Sequence, residues 1–434
     1  MNSSDTAASP GGPHSENIIL IAAVALHCCM LLSLGLGFLN PLFDDATHRS
    51  GQAADFFAVY QAGTNLIDGV SVYSTSPDRQ SVPYYYPYRY HPFVAVTLGL
   101  AIQALPPFAA YGIWIIFLEF LLLVNLRLTW SLFDRKSDAV RALALWMVFS
   151  PMYLELYMGQ FSYAMASIMF WCIVAWAREK RLQGDLWWSL SLVVKSNSAL
   201  FSAVLLRERK WLTVLGAGSA AVLAGLPYFL AVPGSYPEFA QNYTGRMTVS
   251  TLLGNQGFAA LLGMMTIRAS GLWTGDLQEL GQRVPQMDQL MEVPILLWTT
   301  LIVGTALYVT FKSQRPVAPE FHLLWLLAYF LFYKHVWEHQ YVMLLPVFVL
   351  LYWRMTVGGL DLSPTIFWSV FTVLALPTAF VFLDRSPVLF DPELSWNLEE
   401  SLIFHVPKPL AVLVLFVHLS LVLLKPSPRP DPAS

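Results

Sequence analysis

Apolar runs near bilayer-crossing length recur along most of the chain and are separated by short polar loops, the pattern of a polytopic helical membrane protein. The runs fall at 17–39, 108–128, 139–153, 160–177, 211–232, 293–311, 318–333, 340–354, 364–383 and 404–424. Lys and Arg in short loops mark the inner side. On that rule Arg127, Arg135, Lys136 and Arg141 lie inside, as do the clusters Arg178–Arg181 and Arg207–Lys210, with Lys312, Arg315, Arg354, Lys425 and Arg429. The loop 40–91, with three arginines against five aspartates, and the acidic loop 384–400 fall outside. Residues 184–206 run between two inner loops, so they form a hairpin whose polar apex is Lys195-Ser196-Asn197-Ser198. Residues 92–105 are shorter than the ~20 a span needs, so they lie in the interface or re-enter from the outer side.

The expected fold is therefore all-α and polytopic: about ten full transmembrane helices plus a re-entrant or short-helix hairpin. One domain covers 17–424. The ends, 1–16 and 425–434, are polar or proline-rich and read as disordered cytoplasmic tails. Composition agrees: 56% of the 434 residues are apolar and only 12% charged, against roughly 25% charged in soluble domains. A formal net charge of −3 argues against nucleic acid as a partner. The three cysteines, Cys28, Cys29 and Cys172, sit inside apolar runs and show no metal-ligand spacing.

The chemistry concentrates between the first and second runs. Residues 53–93 contain ten Tyr or Phe, and Asp55 stands there among Phe56, Phe57 and Tyr60. A carboxylate near the membrane surface can accept the proton of an attacking hydroxyl, and desolvation raises its proton affinity. It can also serve as the N-cap of a short helix, FFAVYQAGTNL. Tyr84, Tyr85, Tyr86, Tyr88 and Tyr90 suit an interfacial belt or a stacking surface. Lys195 at an apolar hairpin apex either snorkels or binds an anion. Gly159-Gln160 and Gly254-Asn255-Gln256-Gly257 place amides beside glycines, able to bond sugar hydroxyls or to cap loops. His335 and His339 flank Glu338 at helical spacing, but in H-x-x-E-H order rather than the common zinc-protease order.

The pattern D-F-x-x-x-Y-x-A-G-x-x-L-x-x-G-x-x-x-Y from Asp55 resembles polyprenol-phosphate-sugar-dependent glycosyltransferases of the GT-C fold. The family is glycosyltransferase family 87, the alpha-mannosyltransferase-like group. Gly159-Gln160, Lys195, Asn255-Gln256 and His339 with Tyr341 follow in family order. His91-Pro92 departs from it, standing where the family has Pro-Pro or Ser-Pro, and Ser196-Asn197 replaces the Pro that often follows the family's Lys, here Lys195. The resemblance implies a GT-C-like domain whose outer loop, 40–106, is catalytic and carries juxtamembrane helices. It implies transfer of a sugar, mannose by this likeness, from a polyprenyl-phosphate donor to a lipid or glycan acceptor, with inversion. Asp55 would be the base, and Lys195, Arg246 and Arg89 would hold the donor phosphate. Gln160, Asn255, Gln256, His339, Tyr341 and Tyr60 would shape the sugar and acceptor sites. No cofactor and no metal is expected, because cationic side chains can neutralise a monophosphate. The setting would be a bacterial plasma membrane with the site on the extracytoplasmic face. A transporter or flippase of a lipid-linked sugar is the alternative.

Overall fold

In the computed structural model, which describes residues 13–43, 51–85, 87–244, 254–273, 277–378, 383 and 396–426, every regular element among those residues is helical. The first apolar run forms α1 (Pro13–Leu36), which begins within the stretch read as a tail. The loop after it carries α2 (Ala54–Ile67), then a short apolar helix with a π-helical middle over Pro92–Ala104. There follow α3 (Pro107–Trp130), α4 (Lys136–Met147) and α5 (Pro151–Met158), the last two bent by 48°. Next come α6 (Ser162–Ala177) and the hairpin: α7 (Arg181–Val194), a 3-10 turn over Ser196–Phe201, and α8 (Ser202–Arg207). The second half comprises α9 (Trp211–Ala231), α10 (Ser235–Thr244), α11 (Phe258–Ala269), α12 (Leu277–Lys312) and α13 (Pro319–Phe332). A 3-10 turn, Glu338–Leu344, leads into α14 (Leu345–Thr356), and α15 (Pro364–Ala375), α16 (Leu398–His405) and α17 (Pro407–Leu424) close the chain.

Helix starts follow local chemistry. Proline stands in the first turn of α3, α5, α13, α14, α15 and α17, where its missing N–H costs nothing. Asn397 and Glu400 make a reciprocal capping box at α16.

All ten apolar runs contain helix, but length separates them. Among the described residues five helices are long and apolar enough to cross a membrane, namely α1, α3, α9, α12 and α17, or six if α4 and α5 form one bent span. The helices α6, α11, α13 and α15 have 10–17 residues, and 14 residues rise only ~21 Å, short of a hydrocarbon core of ~30 Å. About ten full spans therefore exceeds what helix length alone carries. The long helices turn apolar side chains outward (Ile18, Leu123, Leu212 and Leu297 are all exposed), as lipid-facing surfaces do. Of the short ones, α13 fills the interior, with Pro319 to Leu331 buried without exception, whereas α15 keeps an exposed face that includes Trp368 and Val373.

The juxtamembrane helix α2 is fixed by close backbone approach. A Cβ at Gly63 would lie 2.1 Å from the Gly99 carbonyl oxygen and 2.6 Å from Gln103 Nε2. The Gln103 amide in turn donates to the Tyr60 and Gly99 carbonyls, so neither wall can retreat cheaply. Gly63→Ala should cost about 1–3 kcal/mol by overpacking, whereas Gly112→Ala, in open space within α3, should cost nothing. Thermal unfolding of the two detergent-solubilised variants checks this; equal melting temperatures would refute the crossing.

Candidate active site

The site forms where the first turn of α2 meets the end of α5. α5 finishes in a Schellman motif: Gln160 N–H donates to the Glu155 carbonyl and Gly159 N–H to the Leu156 carbonyl. Gly159 takes φ +67, and a Cβ there would stand 2.6 Å from Phe56 Cβ, so glycine is required for both conformation and approach. The Tyr157 carbonyl binds the two sides together. It accepts the Ala53 N–H at 2.7 Å and the Tyr111 hydroxyl at 3.2 Å. Ala53 pays for that bond with a left-handed φ of 65. It, and not Asp55, occupies the helix N-cap. Asp55 sits one turn position further in, its carboxylate free for other partners.

Those partners are the residues that the sequence spreads over more than a hundred positions. The Gln160 side chain hydrogen-bonds the Asp55 carboxylate, and its Oε1 accepts the Tyr90 hydroxyl at 3.1 Å. The Lys195 Nζ stands 5.8 Å from the centre of the Tyr90 ring, within cation–π reach. Asp55 is partly buried, yet its Oδ2 is enclosed with no hydrogen-bond partner among the described residues. Burial raises the Asp55 carboxyl to about 7, against the opposing pull of Lys195, then Arg89, then the Gln160 hydrogen bond.

Lys195 is held by its hairpin. It follows the last residue of α7 in extended conformation, with its N–H on the Ser191 carbonyl. Ser191 bonds Ser198 through their hydroxyls, and Trp188 Nε1 donates to the Ser198 carbonyl at 2.8 Å. Arg89 is exposed and close enough to act on Asp55. His335 lies on the segment between α13 and the 3-10 turn. Its imidazole is lowered to about 4 by burial, then by Arg89, Lys334 and Lys195, and so is neutral at pH 7. His339 is buried with Nε2 unpartnered among the described residues, and it too feels the Lys195 charge.

Asn255, Gln256 and Tyr341 form a second network. Asn255 Nδ2 donates to the Lys334 carbonyl, its Oδ1 accepts the Val336 and Gly257 N–H groups, and Gln256 Nε2 donates to Thr378. Tyr341 donates to the Gln256 carbonyl at 2.7 Å, and His405 Nδ1 pairs with the Asn255 carbonyl. These groups brace the segment that presents His335; the Asn255 amide is engaged at both ends, whereas Gln256 Oε1 is buried with no partner among the described residues. Tyr60 likewise spends its hydroxyl on the Leu105 carbonyl at 2.8 Å. Glu338 belongs to a buried ion pair with Lys408 at 2.6 Å and accepts the Thr378 N–H. His91 caps the turn at Pro92–Val94 and packs on Gly225. Arg246 and Tyr86 lie outside the described residues.

The sequence reading passed over Glu155. It is fully buried, accepts the Tyr163 N–H at 2.6 Å, and acts electrostatically on Lys195, while the Asp55 charge acts on it. An acid within the apolar run Tyr153-Leu154-Glu155-Leu156-Tyr157 was the available signal, since intramembrane carboxylates mark functional sites by default.

A model of glycosyltransferase family 87 matches residues 88–333, more than half of the chain. That stretch includes Arg89, Gln160, Lys195, Arg246, Asn255 and Gln256, while Asp55, His339 and Tyr341 fall outside it. No curated protein matches the chain.

The raised Asp55 carboxyl has a consequence for stability. The folded state holds its proton more tightly than an ordinary carboxyl at 3.8. Its stabilising contribution is therefore complete below pH ~4 and is lost as pH rises through about 7. The melting temperature of the wild type should fall between about pH 5 and about pH 8, and Asp55→Asn should flatten that decline. Parallel curves for the two proteins would refute the assignment.

Proposed function

The chain belongs to glycosyltransferase family 87, and from that membership we propose that it moves a sugar from a polyprenyl-phosphate donor to a lipid or glycan acceptor at the extracytoplasmic face, with Asp55 as base. The membership itself makes it a membrane glycosyltransferase with a sugar donor and an acceptor. One observation carries the finer reading: a carboxylate of raised proton affinity shares a polar cluster with Lys195 on the side of α2 that faces the α5 end.

The chemistry needs a base and an anion holder in that relation. The acceptor hydroxyl gives its proton to Asp55 as its oxygen attacks the anomeric carbon. The bond from that carbon to the phosphate oxygen breaks on the opposite face, so a β-linked donor gives an α-glycoside. The second negative charge that develops on the departing polyprenyl phosphate falls to Lys195 and Arg89. Gln160 fixes the carboxylate by one amide end and the Tyr90 hydroxyl by the other. His339, with its free Nε2, suits a hydrogen bond to phosphate or acceptor. Mannose as the sugar, like the placement of the site on the outer face, follows from family likeness and loop charge. A bacterial plasma membrane is the matching setting.

Asp55→Asn should lower turnover by about 10²–10⁴-fold in membranes supplied with labelled polyprenyl-phosphate mannose and a membrane lipid extract, with unchanged elution on size exclusion. For the wild type kcat/KM should rise with pH through about 7, because only the ionised carboxyl of Asp55 accepts the proton. A flippase would keep lipid-linked-sugar movement in Asp55→Asn and form no glycoside, and that outcome would end the proposal.

A further inference from the structure

We infer that Tyr90 is a positioning residue that ties the two arms of the site together: its hydroxyl orients the Gln160 amide toward Asp55, and its ring face seats the Lys195 ammonium. This rests on the reading of Asp55 as base and Lys195 as phosphate holder, and deepens it by naming what keeps the two in register.

The surroundings of Tyr90 suit that task. It is 7% exposed, against 38% for Tyr84, so it is not a belt tyrosine with its hydroxyl at the interface. Its carbonyl accepts the Tyr73 hydroxyl at 3.1 Å, and its ring packs on Phe161 and Tyr88 with centroids 4.8 and 5.7 Å away. From that fixed place the hydroxyl donates to Gln160 Oε1 at 3.1 Å, and the ring centre lies 5.8 Å from Lys195 Nζ, within the ~6 Å of a cation–π contact. One side chain thus touches a neighbour of the base and the cation itself.

The hydroxyl matters because an amide has two ends. The main chain of Gln160 is fixed, its N–H on the Glu155 carbonyl at 3.0 Å and its carbonyl on Trp114 Nε1 at 3.3 Å. Asp55 precedes Phe56 and Gln160 follows Gly159, and at that crossing a Cβ on Gly159 would come within 2.6 Å of Phe56 Cβ. What the packing leaves open is which end of the amide faces Asp55. A Tyr90 proton on Oε1 leaves Nε2 for the carboxylate, the arrangement that favours the ionised base. Without that proton the amide can turn, so that Oε1 accepts a hydrogen bond from the protonated carboxyl and the base is disfavoured.

Tyr90→Phe removes the hydroxyl and keeps the ring. With labelled polyprenyl-phosphate mannose as donor, the rise of kcat/KM with pH should move up by about one pH unit. The donor KM should change less than about twofold, because the ring still faces Lys195. Tyr90→Leu removes the ring as well and should also raise the donor KM about three- to tenfold. In a Gln160→Met background, Tyr90→Phe should move the profile no further. The charged groups around Asp55, which are Lys195, Arg89 and Glu155, are unaltered in all these variants. If Tyr90→Phe turns over too slowly to assay, the fall of its melting temperature with pH reads the same proton, and that fall should move up likewise. A Tyr90→Phe profile that overlies the wild type, a full shift that persists in Gln160→Met, or a wild-type donor KM in Tyr90→Leu would overturn the inference. A wild type whose kcat/KM does not rise through about 7 would instead overturn the base reading on which it rests.

Discussion

The candidate site depends on how closely the backbone of α2 approaches the end of α5. At Gly159 the two chains come near enough that a single methyl would strike Phe56, and the shared Tyr157 carbonyl holds Ala53 in a conformation most residues avoid. An alanine at φ 65 costs about 1–2 kcal/mol. The Ala53 N–H bond to Tyr157 and the burial of Phe56 and Phe57, both at 0% exposure, are what offset it. In that geometry Asp55, in the first turn of α2, meets Gln160. Without the approach, an acid at this point would face water, keep an ordinary proton affinity and meet no cation.

Electrostatics then sets what the site can do. The first turn of a helix favours an ionised carboxylate through the macrodipole, and Lys195 and Arg89 favour it further, yet burial outweighs them all at Asp55. A carboxyl balanced near neutrality is suited to take a proton and release it again. The cations are graded by exposure. Arg89 is exposed and screened by water, whereas Lys195 is half-buried at a hairpin apex, where a charge acts more strongly on whatever binds beside it.

How much of this was legible in the sequence varies with the physics involved. Apolar length is a one-dimensional property, so the positions of α1, α3, α9 and α17, and of the apolar half of α12, could be read directly. The shorter helices could be located but not judged as spans, because their burial inside the bundle is a property of neighbours. Asp55 and Lys195 stood out because each is a charge with apolar surroundings in the chain itself. Glu155 met the same criterion and was hidden by the attention given to loops. Asn255, Gln256 and Tyr341 were legible as polar groups, but the partners that occupy them, the Lys334 carbonyl, the Thr378 hydroxyl and the Gln256 carbonyl in turn, lie some eighty residues away or more and could not be foreseen. The Asp55 helix was placed within two residues at its start and one at its end. The identity of its N-cap was not, since Ala53 owes that role to a tertiary hydrogen bond and not to its own preference.

The division between long and short helices also explains where irregular backbone is tolerated. In hydrocarbon an unpaired peptide group is expensive, so non-helical chain survives at depth only when protein surrounds it. The π-helical turn at Ala95–Gly99, the 3-10 turn at Ser196–Phe201 and the 3-10 turn at Glu338–Leu344 all lie in or beside the elements that carry site residues. The long helices on the outside are regular and present apolar side chains to lipid. Irregular turns let neighbouring residues point in directions a straight helix forbids, which is how Lys195 and Asn197 both leave one apex, the first toward Tyr90 and the second toward Tyr329. A bundle made wholly of full-length spans would have no such corners, and so no protected place to set an acid beside a cation. The shell of long helices is what makes the broken interior affordable, and the broken interior is where the chemistry can be done.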